Sequence, residues 1–252
     1  MNNCEIFHID ELKIDDLKQL FDSFKGFEKN RSKDIFMLKI YKNQKDITKY
    51  LDYFKSLNKS DIQTYSELSQ KIAASIINSR KLVVAESAGY VFDGYFELSL
   101  IADLFLTTKN SEFGYPCLDK GVIPHFGGLK ILTRAIFEQF IKYITLTGEM
   151  LNADEYYKRG IISKVFDTNE ALTDYTKHLT CKIKEKSVFA LGLVKEIINR
   201  APHLALEDAL LIEQNAFCIS FASKDKDEGI KAFLENRKAL FTTRWEDINN
   251  AE

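Results

Sequence analysis

An α/β core followed by a helical C-terminal extension is the fold class that this sequence predicts. Three observations point to it. Strand-like and helix-like stretches alternate through the first two thirds of the 252 residues, helical patterns alone fill the last third, and no Pro/Gly/Ser-rich linker divides the two. The chain is therefore read as one domain over 1–252, with an α/β core over 1–165 and a helical extension over 166–252.

The elements follow in order. Residues 10–25 carry Leu17, Leu20, Phe21 and Phe24 at helical spacing, which predicts an amphipathic helix. DIFMLKIY (Asp34–Tyr41) predicts a strand, Lys42–Leu57 a loop and then a helix, and Asp61–Arg80 a long helix on Tyr65, Leu68, Ile72 and Ile76. No glycine occurs between Phe27 and Ala88, so this half offers no obvious loop for cradling phosphate. KLVVAESAGYV (Lys81–Val91) reads as a strand running into a turn, and YFELSLIA (Tyr95–Ala102) as a short helix buried on nearly all sides. DLFLTT (Asp103–Thr108) predicts a strand and Lys109–Gly114 a turn. The loop Tyr115–Gly128 holds two of the three prolines and three glycines, a punctuated length that is more often functional than not. Gly127-Gly128 opens a further helix, Asn152 and Glu155 form a capping-box start, and Gly160 is a C-cap. Ile161–Phe166 predicts a strand. Helices are expected at Asn169–Lys186, Val188–Ala201, Leu206–Ser223 and Asp227–Lys238.

Composition narrows the function. The formal net charge is −2 with no long basic run, so neither nucleic acid nor an anionic membrane is the expected partner. Four cysteines (Cys4, Cys117, Cys181, Cys218) show no paired spacing, and the polar, acidic start is no signal peptide. A reduced, cytoplasmic chain with free thiols is expected. His8, His125, His178 and His203 do not cluster at metal-ligand spacing, so no metal is expected.

Gly94 sits where a strand hands over to a helix. Its N–H belongs to the unpaired donors of the first turn, at the positive end of the helix dipole, and with no side chain a ligand oxygen can come close. An oxyanion site is built this way from backbone alone. Glu97 follows one turn on, in a helix with little room for charge, where burial raises a carboxyl towards the range useful for proton transfer. The alternatives are plain: Gly94 as a tight turn, Asp93 as a helix cap, and Glu97 as a favourable charge at the dipole.

The run KLVVAESAGYVFDGYFELSLIADLFLTTKNSEFGYPCLDKGVIPHFGGLKIL resembles the heart of the crotonase, or enoyl-CoA hydratase/isomerase, superfamily. The likeness extends through LTGEMLNADEYYKRGIISKVF and DEGIKAFLENRKALF, so that it reaches across residues 81–241. It implies a crotonase-like spiral of ββα units and an acyl thioester as substrate, carried on CoA or on the phosphopantetheine of a carrier protein. Coenzyme A then enters as part of the substrate, with no separate cofactor. Fatty acid metabolism and a homotrimer or dimer of trimers (a homohexamer), built through the C-terminal helices, are implied too. Gly94 matches the family's oxyanion-hole glycine, and Glu97 the first of the hydratases' two glutamates.

Elsewhere the chain departs from the pattern. Cys117 stands at the position of the second glutamate, which is also the single catalytic glutamate of the isomerases, so a variant hydratase, isomerase or decarboxylase mechanism is expected. Asp119 replaces that carboxylate only if the loop is rearranged, and Tyr115 and His125 are other acids of the same loop. Asn43–Asp46 is the nearest counterpart of the small loop that supplies the second oxyanion donor and grips CoA. Asn236 replaces a lysine that often meets CoA phosphate, whereas Phe233 is retained, for the adenine of CoA on a neighbouring subunit. The resemblance thus puts Gly94, Glu97 and Cys117 at catalytic positions and Asn43, Tyr115, Asp119, His125 and Phe233 on the substrate side. A second reading of the same departures is a crotonase-fold protein without catalysis, a structural or regulatory partner. Asp93 favours it, since negative charge beside an oxyanion site opposes enolate formation.

Overall fold

The computed structural model describes residues 3–135 and 137–245. Its centre is a parallel sheet in the order β1 (Cys4–His8), β2 (Ile35–Lys42), β3 (Leu82–Phe92), β4 (Leu104–Thr108), β7 (Lys164–Phe166). β5 (Glu112–Gly114) runs parallel to the far end of β3, and β6 (Leu151–Asn152) pairs antiparallel with β5. This is a mixed α/β fold with a parallel-dominated sheet and a helical C-terminal region.

Period-two alternation in β2 sorts its side chains between two layers. Phe36, Leu38 and Ile40 join the main core with α1 (Ile14–Lys29) and α3 (Lys59–Asn78). Ile35 and Met37 face the other way and pack with Val84 and Leu106 against Leu172 and Ile183 of α8 (Asn169–Lys184). Both faces being covered explains why β2 and β3 read as nearly continuous apolar runs. α9 (Val188–Arg200) is fastened beneath the sheet by Lys195, whose ammonium donates to Asp103 at 2.7 Å and to the Lys81 carbonyl at 2.9 Å. α10 (Leu206–Phe221) and α11 (Lys224–Leu234) complete the C-terminal region.

β3 is the long strand that positions everything else. Its first eight residues pair with β2, its last three with β5, and the change of partner falls at Gly89. Gly89 has φ +91, and a Cβ there would lie 2.1 Å from the Lys42 carbonyl oxygen. Only glycine fits such a kink. Beyond it the strand runs on without a turn to Phe92 and passes directly into α4 (Asp93–Leu100), where every residue is buried.

Several expectations shift. The turn over 109–114 ends in β5, and the strand over 161–166 is only Lys164–Phe166, because Gly160 (φ +75) and Ser163, whose N–H donates to Phe105, turn the chain first. The loop over 115–128 contains a 3-10 helix, Pro116–Lys120. The last helix starts three residues early at Lys224, where Ser223 caps it by accepting from the Lys226 N–H. β1 was not anticipated; only Cys4 of its five residues is fully buried, so an edge strand of this kind leaves little apolar pattern. α2 (Thr48–Ser56), α5 (Gly128–Ala135) and α7 (Ala153–Tyr157) fall where sequence places them, and α6 (Glu138–Leu146) adds a helix between α5 and α7.

Gly89→Ala should destabilise the chain by more than about 1 kcal/mol, since the positive φ and the backbone contact act together. Urea denaturation monitored by circular dichroism checks it.

Candidate active site

The site is built on the first turn of α4. Among the described residues nothing accepts from the Gly94 N–H, as the geometry of a helix start requires. Gly94 is nonetheless not open to solvent. A Cβ there would lie 2.9 Å from Leu12 Cδ1 and 3.1 Å from Phe126 Cε2, so these two side chains cover it.

Glu97 is fully buried, with three backbone donors on its two oxygens. Its Oε2 accepts the N–H of His125 at 2.8 Å and of Phe126 at 3.1 Å, while Oε1 accepts the N–H of Gly128 at 2.9 Å. Gly128 opens α5, so the carboxylate also meets the positive end of a second helix. The approach is close enough to require glycine: a Cβ at 128 would lie 2.6 Å from Glu97 Cγ. Burial pushes this carboxyl above its ordinary range, and the three N–H donors pull it part of the way back. With about four lone-pair sites on a carboxylate, three are taken and one remains.

Asp93 is the other carboxyl of the turn. It is 1% exposed and holds φ +44, in the left-handed region that non-glycine residues adopt uncommonly. Oδ2 accepts the Cys117 N–H at 3.3 Å, and Oδ1 is buried without a partner. Burial raises its pKa to about 7, with the nearby Glu97 charge adding to the shift and the contacts to Cys117 opposing it.

The remaining residues of the expected site divide. Asn43 is exposed and lines a cleft of about 810 Å³ with Leu12, Lys42, Lys49, Tyr50 and Tyr95. Lys42 is held there by the Asp10 carbonyl and stands 3.9 Å from the centre of the Tyr95 ring. Cys117 is buried, and burial together with Asp93 pushes its thiol well above the ordinary range, which disfavours the thiolate a nucleophile needs. Asp119 does not turn inward to replace it; the residue is exposed and its carboxyl lies beside Gly148. Tyr115 is buried in an aromatic cluster with its ring 5.5 Å from that of Phe96, and it is not among the residues that line this cleft.

The His125 ring is engaged on both nitrogens. Its Nδ1 is 3.3 Å from the Ile123 carbonyl, which can only accept, so Nε2 is left to accept from the Tyr65 hydroxyl at 3.1 Å. Burial lowers its pKa to about 4. The ring is a neutral tether, and the useful part of His125 is its backbone N–H. Phe233 stands on α11 with 81% of its surface exposed and no part in the cleft. Sequence reasoning missed Leu12, Tyr95 and Phe126, whose apolar and aromatic character reads as ordinary core.

The sequence profile described as Enoyl-CoA hydratase/isomerase matches residues 20–244. The crotonyl-CoA hydratase of Syntrophomonas wolfei is 31% identical over 192 residues, 76% of this chain and 74% of that protein. A protein of Mycobacterium bovis named as a probable enoyl-CoA hydratase is 35% identical over 165 residues, 66% of this chain and 64% of its own length, slightly less than two thirds. Among solved structures, an enoyl-CoA hydratase subunit of Geobacillus kaustophilus superposes with a TM-score of 0.84 at 24% identity, covering 97% of this chain and 96% of that one, which bears on the fold alone. The chain belongs to the enoyl-CoA hydratase/isomerase family, the crotonase superfamily, and these relatives support an enzyme of the hydratase (lyase) type.

Glu97→Ala leaves three buried N–H groups unpartnered and should cost at least about 3 kcal/mol; Glu97→Gln, whose NH2 must face one of those donors, should cost about 1–2 kcal/mol. Chemical denaturation measures both. The folded pKa of His125 lies below its unfolded value of about 6.5, so its contribution is complete above that pH and is lost as pH falls towards 4. His125→Phe should flatten this part of the acid unfolding profile.

Proposed function

We propose that the chain hydrates an enoyl thioester, with the carbonyl oxygen held by the Gly94 N–H and water handled by Glu97. One observation carries the reading: an unpartnered amide in the first turn of a buried helix, with a buried carboxylate one turn on. When water adds to the alkene, negative charge develops on the thioester oxygen. A fixed N–H in a water-poor site stabilises that charge, and losing such a donor typically costs about 3 kcal/mol in the barrier. The open lone pair of Glu97 accepts a proton from the attacking water.

The cleft lined by Asn43 is the entrance in this reading, its walls carrying Lys13, Lys42 and Lys49 together with Asp10, Glu11, Asp46 and Asp52. Leu12 belongs both to that cleft and to the cover over Gly94, so it is the partition between them. Four free cysteines support a reducing, cytoplasmic setting, and no described helix is long and apolar enough to cross a membrane. Exposed apolar side chains on α9, α10 and α11, among them Ile198, Leu210, Phe217 and Phe233, support a homo-oligomer formed through the C-terminal helices, a trimer or a dimer of trimers.

The second reading, a non-catalytic partner, is favoured by Leu12 and Phe126 packing against Gly94. Turnover of crotonyl-CoA and longer enoyl-CoAs, followed by loss of the conjugated-enoyl absorbance, decides between them. Hydration supports the first reading, and absence of both turnover and calorimetric binding supports the second. Leu12→Ala should widen the passage and raise kcat/KM by up to about tenfold, equivalent to 1.4 kcal/mol of barrier, while costing about 2–3 kcal/mol of stability.

A further inference from the structure

Hydration needs two proton movements. One leaves the water, and one arrives at Cα. Glu97, with three N–H donors on its two oxygens, is built to be a carboxylate and accounts for the first. A second acid would deliver the other without Glu97 having to pass its proton on.

Among the described residues two buried carboxyls keep an oxygen without a partner, Glu86 and Asp93. Glu86 is engaged elsewhere, by Lys39, Tyr41 and Thr173 of α8. Asp93 adjoins Gly94 in the chain and stands four residues before Glu97, on the same face of α4. Its arrangement is unfavourable three times over: a positive φ, burial at 1% exposure and a half-satisfied carboxyl. Such costs persist where a function maintains them. Resting on the hydration reading above, we infer that Asp93 is the proton donor of the site, its carboxylic acid delivering a proton to Cα of the thioester enolate.

The step balances. The water oxygen bonds to Cβ as one water proton passes to Glu97, and the alkene electrons move to the thioester oxygen at the Gly94 N–H. The enolate then closes to a carbonyl as Cα takes the Asp93 proton, giving a 3-hydroxyacyl thioester. Glu97 loses its proton to solvent and Asp93 regains one, so no other reactant is required. The two carboxyls carry opposite roles because their surroundings differ, one held by three backbone donors and the other met by Cys117 alone. Titratable groups that face Asp93 are Glu97 on its own helix, Cys117 on the 3-10 helix, Tyr50 on α2, Tyr90 on β3 and Tyr115. None is a cation, which keeps the proton on Asp93 up to about pH 7.

Asp93→Asn and Asp93→Gly test it with crotonyl-CoA. Both should lower kcat by about a hundredfold or more, with KM changed by less than about threefold. The wild-type kcat should fall as pH rises through about 7, and this limb should vanish in Asp93→Asn. A purely structural Asp93 would behave differently. Glycine accepts φ +44 without strain, so Asp93→Gly should melt higher than wild type even as its activity is lost. Retention of more than about half of kcat in Asp93→Asn overturns the inference and leaves the hydration reading standing. A wild-type chain that hydrates no enoyl-CoA overturns both.

Discussion

The Glu97 carboxylate is the tie on which the site depends. It stands on α4, yet all three of its donors come from the segment His125–Gly128, so a single side chain sets where that loop and the start of α5 lie. The loop is tethered from its other side through the His125 ring to Tyr65 and through the His125 carbonyl to Gln70, both on α3. Charge-assisted bonds of this kind are stronger than neutral ones, and in a dry interior each is costly to lose. Stability and chemistry therefore share one group. The base of the proposed reaction cannot be exchanged without loosening the loop that packs Phe126 against Gly94.

From this tie the asymmetry of the two carboxyls follows. Glu97 has exchanged water for oriented backbone dipoles, which is the preorganised surrounding that holds a carboxylate in place at no further cost. Asp93 lies four residues away and receives one long N–H bond from Cys117. Desolvation without compensation favours its neutral form. Sign matters here: the folded pKa exceeds the unfolded one, so Asp93 contributes its stability at low pH and loses it as pH rises through about 7. A charge repulsive to an oxyanion is thereby largely absent over the lower part of the physiological range. The sequence-level objection that Asp93 opposes enolate formation holds only for the ionised group.

Much of this was legible in advance. β2, β3, α1 and α3 are long, with strong periodicity, and burial on both faces of β3 made its apolar run unmistakable. The Gly94–Glu97 pair was legible because a strand passing into a helix fixes which amides go unpaired, whatever the side chains around them. Three things were not. Asp93 reads as an ordinary cap, since nothing in its residue type reveals a positive φ or a missing partner. His125 drew attention through its imidazole but acts through an amide that any residue except proline would carry. Leu12 lies about eighty positions from Gly94, and only the tertiary fold brings its methyl group over that glycine.

Closure of the site and its chemistry are compatible for a physical reason. An N–H donor, a carboxylate and a carboxylic acid sharing a water-filled cleft would each be screened, and the raised pKa of Asp93 would relax towards its ordinary value. Sealing by Leu12, Phe126 and the aromatic wall of Tyr50, Phe92 and Tyr95 keeps the dielectric low. The seal is apolar where it meets Gly94, so displacing it breaks no hydrogen bond there. Turning a side chain roughly 30° off its rotamer costs about 0.5–1.5 kcal/mol, whereas uncovering Glu97 would require breaking three N–H bonds. The weak element faces the cleft and the strong one faces the core. In the proposed reaction a thioester reaches Gly94 once the Leu12 and Phe126 side chains shift, while the three bonds to Glu97 stay as they are.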